Sequence, residues 1–415
     1  MAPFYADLHL HSHYAYATSK YSDLFHLTLW GARKGLGVIG SGDFTHPQWR
    51  ETLKTELDEG PDGLFIPNPA LTTAVQLQLE GAMQGAPIPH YLLTVELSTI
   101  FKQDGQTRRV HHLVGVPHWQ AADRLITQLT KWGNLASDGR PTLSCSARDL
   151  LEMVLHSDDQ AFLIPAHIWT PWYAMLGSKS GFDSVSACYG DLSPHIFALE
   201  TGLSSTPGLN RLLSQLDAYQ LVSHSDAHSP NRLGREATLY GTPRSYTAML
   251  QALKTGQGLL GTVEFIPDRG KYHLDGHRLC NFSSTPQQTQ KLEGTCPKCH
   301  KPLTIGVCHR IHQLADRTEP ADHTKPFWPS LSLLEILSQI EGVSTQSKRV
   351  NTRYAQALQE LGPELPLLRD LAISEIQQKG WPELARAIEA VRLQHLVTNS
   401  GFDGTYGSVM INLSF

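Results

Sequence analysis

One pattern recurs from the N-terminus to about residue 265 and restricts the fold more than any other feature. A short apolar run is followed by an Asp, Glu or His and then by a stretch with helical spacing, roughly seven times in succession. This order of strand, polar residue and helix is typical of a parallel β/α barrel whose site lies at the carboxyl ends of the strands. We therefore predict an α/β fold of this kind for the first 265 residues.

The first of these segments has the most regular arrangement of polar side chains. Asp7, His9 and His11 alternate with leucines after a short apolar run. Because successive side chains of a strand point to opposite faces, these three are expected to point the same way. Two imidazoles and a carboxylate that converge on one point suit a divalent metal ion. A single His-x-His pair is more often two surface histidines, so the prediction depends on the recurrence of the pattern.

Later segments place further potential ligands at the ends of apolar runs. The positions are Asp43, His46, Glu96, His111, His112, His167, Glu200, Asp226 and His228. Glu96 carries the most weight, because a buried carboxylate without a partner is costly and favours a cation. Asp43 and His46 could instead cap the following helix, and His167 could be an ordinary core histidine.

A predicted hairpin leaves one choice open. Residues 110–116 are expected to pair with residues 90–95 across the turn-like residues 103–106. His111 and His112 are neighbours on the second strand and point to opposite faces, so one of them can face the site.

Composition restricts compartment and partners. The 415-residue chain has a net charge of -5, so any nucleic-acid binding must come from local basic patches. There is no run of 18 apolar residues and no basic segment followed by an apolar one at the N-terminus. We therefore expect a cytoplasmic protein with no membrane partner. Six cysteines are few for a disulfide framework and favour metal binding in a reducing compartment.

A separate zinc-binding module is predicted at residues 266–325. Its ligand pairs have zinc-ribbon spacing, with two residues inside each pair and fifteen between the pairs. The predicted ligands are His277, Cys280, Cys296 and Cys299. Cys308 competes with His277 for the fourth position. Residues 269–310 contain seven Lys and Arg against two Asp and Glu, which is typical of a phosphate-tracking surface or of a solvated face without a partner.

Several short motifs resemble those of the polymerase and histidinol phosphatase (PHP) superfamily. They are Asp-Leu-His-Leu-His-Ser at 7–12, Glu96, His167 and Ser-Asp-Ala-His at 225–228. Longer stretches resemble endonuclease Q in particular. These are Gly-Asp-Phe-Thr-His-Pro at 42–47, Pro-Ala-His-Ile-Trp-Thr-Pro-Trp-Tyr at 165–173, Gly-Ser-Lys-Ser-Gly-Phe-Asp-Ser at 177–184, the cysteine module and Gly-Phe-Asp-Gly-Thr-Tyr-Gly at 401–407. The resemblance spans nearly the whole chain.

The resemblance implies a fold and an activity. The expected fold is a PHP-type distorted (β/α)7 barrel at residues 1–265, followed by the zinc-binding module at 266–325 and a helical C-terminal region at 326–415. The endonuclease Q family nicks DNA on the 5′ side of deaminated bases such as hypoxanthine and uracil, and at abasic sites. Damaged DNA is therefore the expected partner, with replication or repair proteins as further candidates.

The resemblance also implies a set of metal ligands. Carried over position by position, they are His9, His11, Asp43, His46, Glu96, His111, His167, Asp226 and His228. His111 is preferred to His112 because its place relative to Pro117 is closer to the family motif. They are expected to hold two or three divalent ions, zinc, manganese or magnesium, besides one structural zinc. Residues 15–18 offer no ligand where related phosphatases often have one, so a third barrel site stays open.

Catalytic and DNA-binding roles are expected around these ligands. We assign catalysis to Asp226, His228 and Lys179, the last as a source of positive charge for the transition state. The expected DNA-binding residues are Trp169, Trp172, Tyr173, Ser178 and Lys179, with the aromatic rings as a stacking surface for an everted base. The same rings could instead pack their loop onto the rim of the barrel.

The C-terminal region, residues 326–415, is predicted to be helical. Helical spacing covers residues 331–340, 353–361, 367–378 and 382–395. Residues 401–407 are too rich in glycine for a helix and put two aromatic rings on a loop. This loop is either a lesion-reading finger or a tail that docks onto the barrel.

These observations predict a metal-dependent DNA repair endonuclease. The alternative from the same superfamily is a phosphoesterase that acts on a small phosphorylated metabolite, which the zinc module and its basic stretch disfavour. A metal-bound but inactive binding module is the alternative from another class, and the complete set of polar residues disfavours it.

Overall fold

The computed structural model of this protein describes residues 2–413. The strands are β1 (Phe4–Asp7), β2 (Leu36–Gly40), β3 (Leu57–Glu59), β4 (Phe65–Pro67), β5 (His90–Gln103), β6 (Gln106–Val116), β7 (Thr142–Leu143), β8 (Phe162–Pro165), β9 (Ala198–Glu200), β10 (Gln220–Val222), β11 (Ala237–Tyr240), β12 (Leu259–Phe265), β13 (Asp275–His277), β14 (Phe282–Ser284), β15 (Phe327–Ser330), β16 (Leu396–Asn399) and β17 (Ser408–Ile411).

Helices lie between most of these strands and dominate the C-terminal region. They are α1 (Leu24–Lys34), α2 (Pro47–Glu56), α3 (Pro69–Gln76), α4 (Trp119–Leu129), α5 (Ala147–Ser157), α6 (Val185–Tyr189), α7 (Pro207–Asn210), α8 (Tyr246–Thr255), α9 (Pro286–Lys291), α10 (Val307–Leu314), α11 (Leu333–Glu341), α12 (Lys348–Leu361), α13 (Glu364–Arg369), α14 (Ile373–Gln378) and α15 (Pro382–Arg392). Short 3₁₀ helices are Gly81–Met83, Gly190–His195, Ser214–Leu216, Pro230–Arg232, Pro267–Arg269 and Arg278–Cys280.

Helix α1 shows how local sequence sets an element. The Asp23 side chain accepts a hydrogen bond from the backbone N–H of His26, which satisfies one of the free donors of the first turn. Gly35 ends the helix with φ 77°, a left-handed conformation that glycine adopts without a Cβ penalty. Strand β2 begins at the next residue.

The largest sheet has eleven strands and mixes parallel and antiparallel pairs. Its order is β15-β12-β11-β1-β2-β5-β4-β3, with β6 beside β5 and β8, and β7 beside β5. Strand β2 runs parallel to both β1 and β5. On the outer sides of this trio, β11 is antiparallel to β1 and β4 is antiparallel to β5. Strand β6 is antiparallel to both β5 and β8, so β8 runs in the same sense as β5. The carboxyl ends of β1, β2 and β8 therefore lie on one side.

The predicted α/β fold is confirmed, but the described residues do not form a closed barrel, so the predicted distorted (β/α)7 barrel is not confirmed. Within residues 2–413, no pairing joins β8 to β9 or β10 to β11, and β9 and β10 form a separate two-stranded sheet. Strand β6 breaks the parallel order because β5 and β6 form a hairpin, and a tight turn can connect only antiparallel neighbours. Asp104 and Gly105 make this turn with φ 51° and 75°. The predicted pairing across residues 103–106 is confirmed, and both strands are longer than expected.

The C-terminal region contains strands that the helical spacing did not predict. Strand β15 adds to the edge of the large sheet by pairing in parallel with β12. Strands β16 and β17 form an antiparallel hairpin on either side of residues 401–407. The glycine-rich loop is therefore held at both ends. Among the described helices, none combines the length and the apolar character that crossing a membrane requires.

Candidate metal centre

Two groups of potential ligands meet beyond the carboxyl ends of β1 and β8. The first consists of His9, His11, Glu96 and Asp226, and the second consists of Glu96, His111 and His167. Within each group, one nitrogen or oxygen atom of every residue lies within 4.8 Å of the others. Residues from five separate stretches of the sequence are thus brought together at one place, and Glu96 belongs to both groups.

The two imidazoles after β1 are oriented by buried carboxylates. Nδ1 of His9 lies 3.0 Å from Glu200 Oε1, and Nδ1 of His11 lies 3.0 Å from Asp43 Oδ1. A carboxylate at Nδ1 fixes the proton on that nitrogen and leaves the lone pair of Nε2 free. Both Nε2 atoms therefore point into the first group as acceptors.

The donor set of the first group fits a cation. Nε2 of His11 lies 3.0 Å from Glu96 Oε2 and 3.2 Å from Asp226 Oδ1. Nε2 of His9 lies 3.4 Å and 3.6 Å from the same two oxygens. These nitrogens and Asp226 Oδ1 are buried and have no hydrogen-bond partner among the described residues. Lone pairs held this close in a buried site repel one another unless a proton or a metal ion lies between them.

Electrostatics favour the ligand form of the carboxylates. Burial alone would raise the pKa of Glu96, but His111, Arg140 and His9 hold it well below its ordinary range. Burial also raises the pKa of Asp226, yet the adjacent imidazoles of His11 and His9 bring it below the usual value. Both side chains are therefore carboxylates near pH 7.

The pKa values of the two imidazoles show what the site attracts. Burial lowers the pKa of His9, but Glu200 and Glu96 raise it well above 6.5 overall. His11 behaves in the same way because of Asp43 and the nearby carboxylates of Asp226 and Glu96. The carboxylates thus draw positive charge onto both Nε2 atoms, and a divalent cation would take the place of those protons.

The second group shares the other oxygen of Glu96. Its Oε1 lies 2.6 Å from His111 Nδ1 and 3.0 Å from His167 Nε2. Burial lowers the pKa of His111 to about 4, so this imidazole is neutral near pH 7 and able to act as a ligand. Because Glu96 Oε2 faces the first group, its carboxylate lies between two sets of ligands. Such a bridge is typical of sites for two metal ions.

The structure resolves the choice between the two neighbouring histidines on β6. His111 lies in the second group, whereas His112 points to the opposite face. Nδ1 of His112 lies 2.8 Å from the Tyr189 hydroxyl, and Nε2 lies 2.9 Å from the Thr99 hydroxyl. His112 is fully buried, and burial lowers its pKa to about 3. It is a core residue with both ring nitrogens satisfied.

Two residues outside the ligand set implied by the family resemblance complete the surroundings. Glu200 accepts hydrogen bonds from Nδ1 of His9, from Nδ1 of His224 and from the backbone N–H of His167. Arg140 lies 3.1 Å from Glu96 Oε2 through its Nη1 atom. Glu200 ends a predicted strand, which was a visible signal. Arg140 lies in a loop without any motif, so nothing local indicated it.

Three site residues have strained backbones. Asp43, His167 and Asp226 have φ values of 48°, 31° and 47° in the left-handed region. Residues with a Cβ adopt this region at a cost, and such strain is concentrated at functional sites. The tight turns that follow the strands therefore aim these side chains at the centre.

Four of the predicted metal-binding and catalytic residues of the barrel lie outside both groups in the part of the chain that the structure describes. Asp43 uses its carboxylate to bind His11 Nδ1 and the N–H and hydroxyl of Ser12, so it orients a ligand. His46 stacks on Tyr14, with ring centroids 4.3 Å apart. His228 packs against His11 and directs Nδ1 to the backbone oxygen of Asp226.

Lys179 is the fourth, and its side chain is exposed on the loop after β8.

Asp7 was expected to point in the same direction as His9 and His11, but its side chain points away from the centre. Its two oxygens accept hydrogen bonds from the backbone N–H groups of Ser225 and Gly234. The alternation of a regular strand does not continue past Asp7, because β1 ends there.

The aromatic loop after His167 is divided between core and surface. Trp169 is fully buried and donates from Nε1 to Asn210, so the prediction that it stacks on DNA is wrong. Trp172 is 37% exposed, and its ring lies 5.4 Å from that of Tyr272. Tyr173 packs against His111 with ring centroids 4.8 Å apart. Trp172 therefore offers the accessible face of this loop.

The module at residues 266–325 contains a second kind of ligand group. His277, Cys280, Cys296 and Cys299 have ligand atoms within 4.8 Å of one another, and Cys299 Sγ lies 3.4 Å from His277 Nδ1. Cys308 lies elsewhere, with its sulfur 3.7 Å from Nδ1 of His312. The geometry therefore groups His277 with the three cysteines. Ser178 contacts the same module through the backbone oxygen of Ile305.

The loop at residues 401–407 docks onto the zinc-binding module. The backbone N–H groups of Gly401, Gly404 and Gly407 donate to the carbonyls of Asp268, Lys271 and Arg269. A Cβ on Gly401 would lie 2.2 Å from the Gly270 carbonyl oxygen, so only glycine permits this approach. Of the two alternatives for this loop, the contacts match a docking tail, although its partner is the module and not the barrel.

Comparisons with known proteins extend this description. A family model described as the MJ0043 C-terminal domain matches residues 332–395, which contain α11 to α15. Uncharacterized protein MJ0043 of Methanocaldococcus jannaschii is 27% identical over 250 residues, which are 58% of this chain and 31% of that protein. Uncharacterized protein YqxK of Bacillus subtilis is 25% identical over 430 residues, which cover 99% of this chain and 100% of YqxK.

Two solved structures are similar over almost their whole length. The crystal structure of the lesion-specific endonuclease PfuEndoQ from Pyrococcus furiosus superimposes with a TM-score of 0.85 at 30% sequence identity, covering 99% of this chain and 96% of that chain. A structure of Endonuclease Q in complex with a 27-mer duplex substrate with an abasic lesion at the active site has a TM-score of 0.84 at 30% identity. It covers 99% of this chain and 97% of that chain.

A fold of this kind around a carboxylate and imidazole centre defines a phosphodiester hydrolase, an endonuclease of the DNA-repair class. The 30% sequence identity to both structures, over almost the whole of each chain, then establishes the family. The chain belongs to the endonuclease Q family, and the resemblance indicated by its sequence motifs is confirmed.

Proposed function

We propose that this protein binds damaged DNA and hydrolyses the phosphodiester on the 5′ side of deaminated bases, such as hypoxanthine and uracil, and of abasic sites. The observation that carries the proposal is the position of Glu96 between two ligand groups, one with His9, His11 and Asp226 and the other with His111 and His167. Two cations that act together on one phosphodiester must lie close to each other, and two adjacent sets of ligands that share a carboxylate can hold them in this way.

Divalent ions bound to these two groups would supply a nucleophilic hydroxide near neutral pH and would neutralise charge on the phosphate. The unpaired Nε2 atoms of His9 and His11 and the oxygen Oδ1 of Asp226 support this use of the site. Asp43 and Glu200 keep the imidazole protons on Nδ1. A third ion is not required by these two groups.

Asp226 and His228 form the accessible side of the centre. Their side chains are 24% and 31% exposed, whereas His9, His11 and Glu96 are fully buried. Burial lowers the pKa of His228, so the ring is neutral near pH 7 and can accept a proton at Nε2 while Nδ1 donates to the backbone. We therefore place the reacting phosphate on this side.

The surface beside the centre suits a DNA strand that carries a lesion. Trp172 and Tyr272 bring two aromatic rings together where the loop after His167 meets the zinc-binding module. Lys179 is exposed on the same loop as Trp172, and residues 269–310 carry seven Lys and Arg against two Asp and Glu, which favours contact with phosphates. An extruded base would stack on Trp172 while the backbone follows the cations.

The test uses 5′-labelled duplexes that carry one hypoxanthine, one uracil or one abasic site, next to an undamaged duplex. We expect a nick 5′ of each lesion, loss of cleavage with a chelator, and recovery on addition of manganese, magnesium or zinc. Asp226→Ala should abolish cleavage and keep the fold, as judged by circular dichroism. Equal cleavage of damaged and undamaged DNA, or undiminished turnover by Asp226→Ala, would contradict the proposal.

A further inference from the structure

Arg140 lies at the accessible side of the centre, in the loop between α4 and β7. Its Nη1 atom lies 3.1 Å from Glu96 Oε2, the oxygen that also faces His9 and His11. The Arg140 side chain is 25% exposed, similar to the side chains of Asp226 and His228. The guanidinium thus reaches from solvent to the carboxylate that both ligand groups share.

Hydrogen bonds hold the turn that carries Arg140 against the loop that follows β1. Oδ1 of Asp138 accepts hydrogen bonds from the backbone N–H groups of Arg140 and Tyr16, at 3.0 Å and 3.1 Å. The N–H of Gly139 donates to the Tyr14 carbonyl. A Cβ at residue 139 would lie 2.4 Å from Asp43 Oδ2, so a glycine is needed where the turn passes the carboxylate that orients His11.

The guanidinium retains unused donors. It has five N–H groups in a planar fork. Among residues 2–413, the hydrogen bond to Glu96 is the contact that the structure gives this guanidinium. A structural ion pair with a carboxylate would use both of its oxygens, whereas Glu96 offers Arg140 one oxygen that already faces two imidazoles. The remaining donors are therefore free for an anion that enters from the open side.

We propose that Arg140 is a catalytic residue that donates to a non-bridging oxygen of the scissile phosphate while it keeps its contact with Glu96. The inference rests on the proposed phosphodiester hydrolysis at this centre. During in-line attack by hydroxide, the P–O bond to the leaving oxygen breaks as the new P–O bond forms, and negative charge grows on the non-bridging oxygens. A fixed cation beside those oxygens stabilises this charge without any reorganisation.

Arg140 could instead only position Glu96 without contacting the phosphate. The two roles predict different results. A contact with phosphate predicts that Arg140→Ala lowers the single-turnover rate constant on an abasic duplex by ~10²–10³-fold, as expected for one donor aimed at developing charge. The metal content per chain should not change, and added guanidinium chloride should restore part of the rate. Arg140→Lys should lie between the wild type and Arg140→Ala.

Phosphorothioate substrates separate the roles further. Sulfur in place of the non-bridging oxygen bound by Arg140 should slow the wild type for one of the two diastereomers and have little effect on Arg140→Ala. Arg124→Ala is the matched control, because the Arg124 side chain is half exposed and pairs with Asp158 at the surface. If Arg140→Ala does not fold, the same readouts on Arg140→Lys decide.

Three results would overturn the inference. They are full activity of Arg140→Ala, equal sulfur effects in variant and wild type, and a loss of metal that matches the loss of rate and is reversed by excess metal. Absence of cleavage by the wild type on every damaged duplex would instead overturn the proposed function, and the inference with it.

Discussion

Glu200 determines which nitrogen of His9 faces the metal centre. Burial alone would raise the pKa of this carboxyl, but His9 and His224 lower it to about 2. It therefore stays ionised and holds three N–H donors at once, those of His9, His224 and the His167 backbone. One buried carboxylate thus positions a residue of each ligand group.

We expect Glu200→Gln to lower metal affinity by ~10–100-fold, as is typical when the partner of a ligand histidine is changed. The amide offers one acceptor oxygen and an NH₂ group that faces Nδ1, so the tautomer of His9 is no longer fixed. Competition with a chromophoric chelator measures the change. Glu236→Gln is the matched control, since Glu236 is also fully buried. Equal affinities in both variants would show that Glu200 only fills the core.

Trp172 is the residue on which we expect lesion preference to depend. We expect Trp172→Ala to slow cleavage at hypoxanthine and uracil by about ten-fold or more, because base stacking is worth ~1–3 kcal/mol. An abasic site offers no base to stack, so its cleavage should change less. Trp172→Phe keeps an aromatic face and should retain most of the rate. Equal losses on all three duplexes, measured in single turnover, would assign Trp172 a purely structural role.

At the residue scale, the sequence predicted the residues that cluster better than the residues that orient them. His9, His11, Glu96 and His167 were predicted as ligands because metal chemistry favours these residue types and because they follow apolar runs, and the structure brings them together. The pairing of His9 with Glu200 spans 191 residues of sequence, and no local pattern encodes it. Asp43 was predicted as a metal ligand, whereas in the structure its carboxylate orients His11. The local sequence pattern is the same for both roles, so it could not separate them.

At the scale of elements, helix and strand positions were predictable but strand direction was not. Alternating and helical periodicities identify an element and leave its orientation undefined. The turn at Asp104 and Gly105 indicated in the sequence that β6 runs antiparallel to β5. Whether the remaining strands then close into a barrel depends on pairing between distant segments, which no local pattern encodes. Strand β16 escaped prediction because residues 397–399 are exposed, so no apolar alternation marks it.

The zinc-binding module allows a test of one element. We expect Cys296→Ser to release about one zinc per chain and to expose residues 275–306 to proteolysis, because metal binding supplies folding free energy in such modules. Cys308→Ser is the control and should keep its zinc, since Cys308 contacts His312 and lies outside the ligand group. Elemental analysis of both variants checks this, and full zinc content in Cys296→Ser would refute the assignment.

Strands β11 and β12 border a buried pair of carboxyl groups that should make stability depend on pH. Burial raises the pKa of Glu264 to about 8, although the Thr201 hydroxyl donates to it. Burial and the charge of Glu264 also raise the pKa of Glu236. The folded chain therefore keeps a proton on Glu264 that the unfolded chain loses above its ordinary pKa of 4.5. The free energy of unfolding falls as pH rises from there to about 8.

We expect Glu264→Gln to remove this dependence. The amide has no proton to lose, so the variant should match the wild type near pH 5 and exceed it near pH 8, with the difference growing by up to ~1.4 kcal/mol per pH unit. Urea unfolding at several pH values, with metal held constant, measures it. A difference that stays constant with pH would mean that Glu264 is ionised in the fold.

At the scale of the whole molecule, the C-terminal helices are bound to the α/β region by buried polar contacts. Lys34 Nζ at the end of α1 lies 2.7 Å from Glu364 Oε2 at the start of α13, and both side chains are almost fully buried. Glu364 also accepts hydrogen bonds from the Leu333 N–H and the Tyr354 hydroxyl. One carboxylate therefore connects α1 with α11, α12 and α13. These three C-terminal helices lie within the region matched by the family model.

Loss of this carboxylate should destabilise the whole molecule, since α1 follows the strand that leads to His9 and His11. We expect Glu364→Ala to lower the free energy of unfolding by ~3–5 kcal/mol, because it leaves the Lys34 ammonium buried without a partner. Lys34→Met combined with Glu364→Gln removes both charges and keeps an acceptor for Tyr354, so it should recover more than half of that loss. Denaturant unfolding of the wild type, Lys34→Met, Glu364→Gln and the double variant gives the coupling free energy. Additive effects would show that the two charges act independently, and the C-terminal helices would then be held by apolar packing alone.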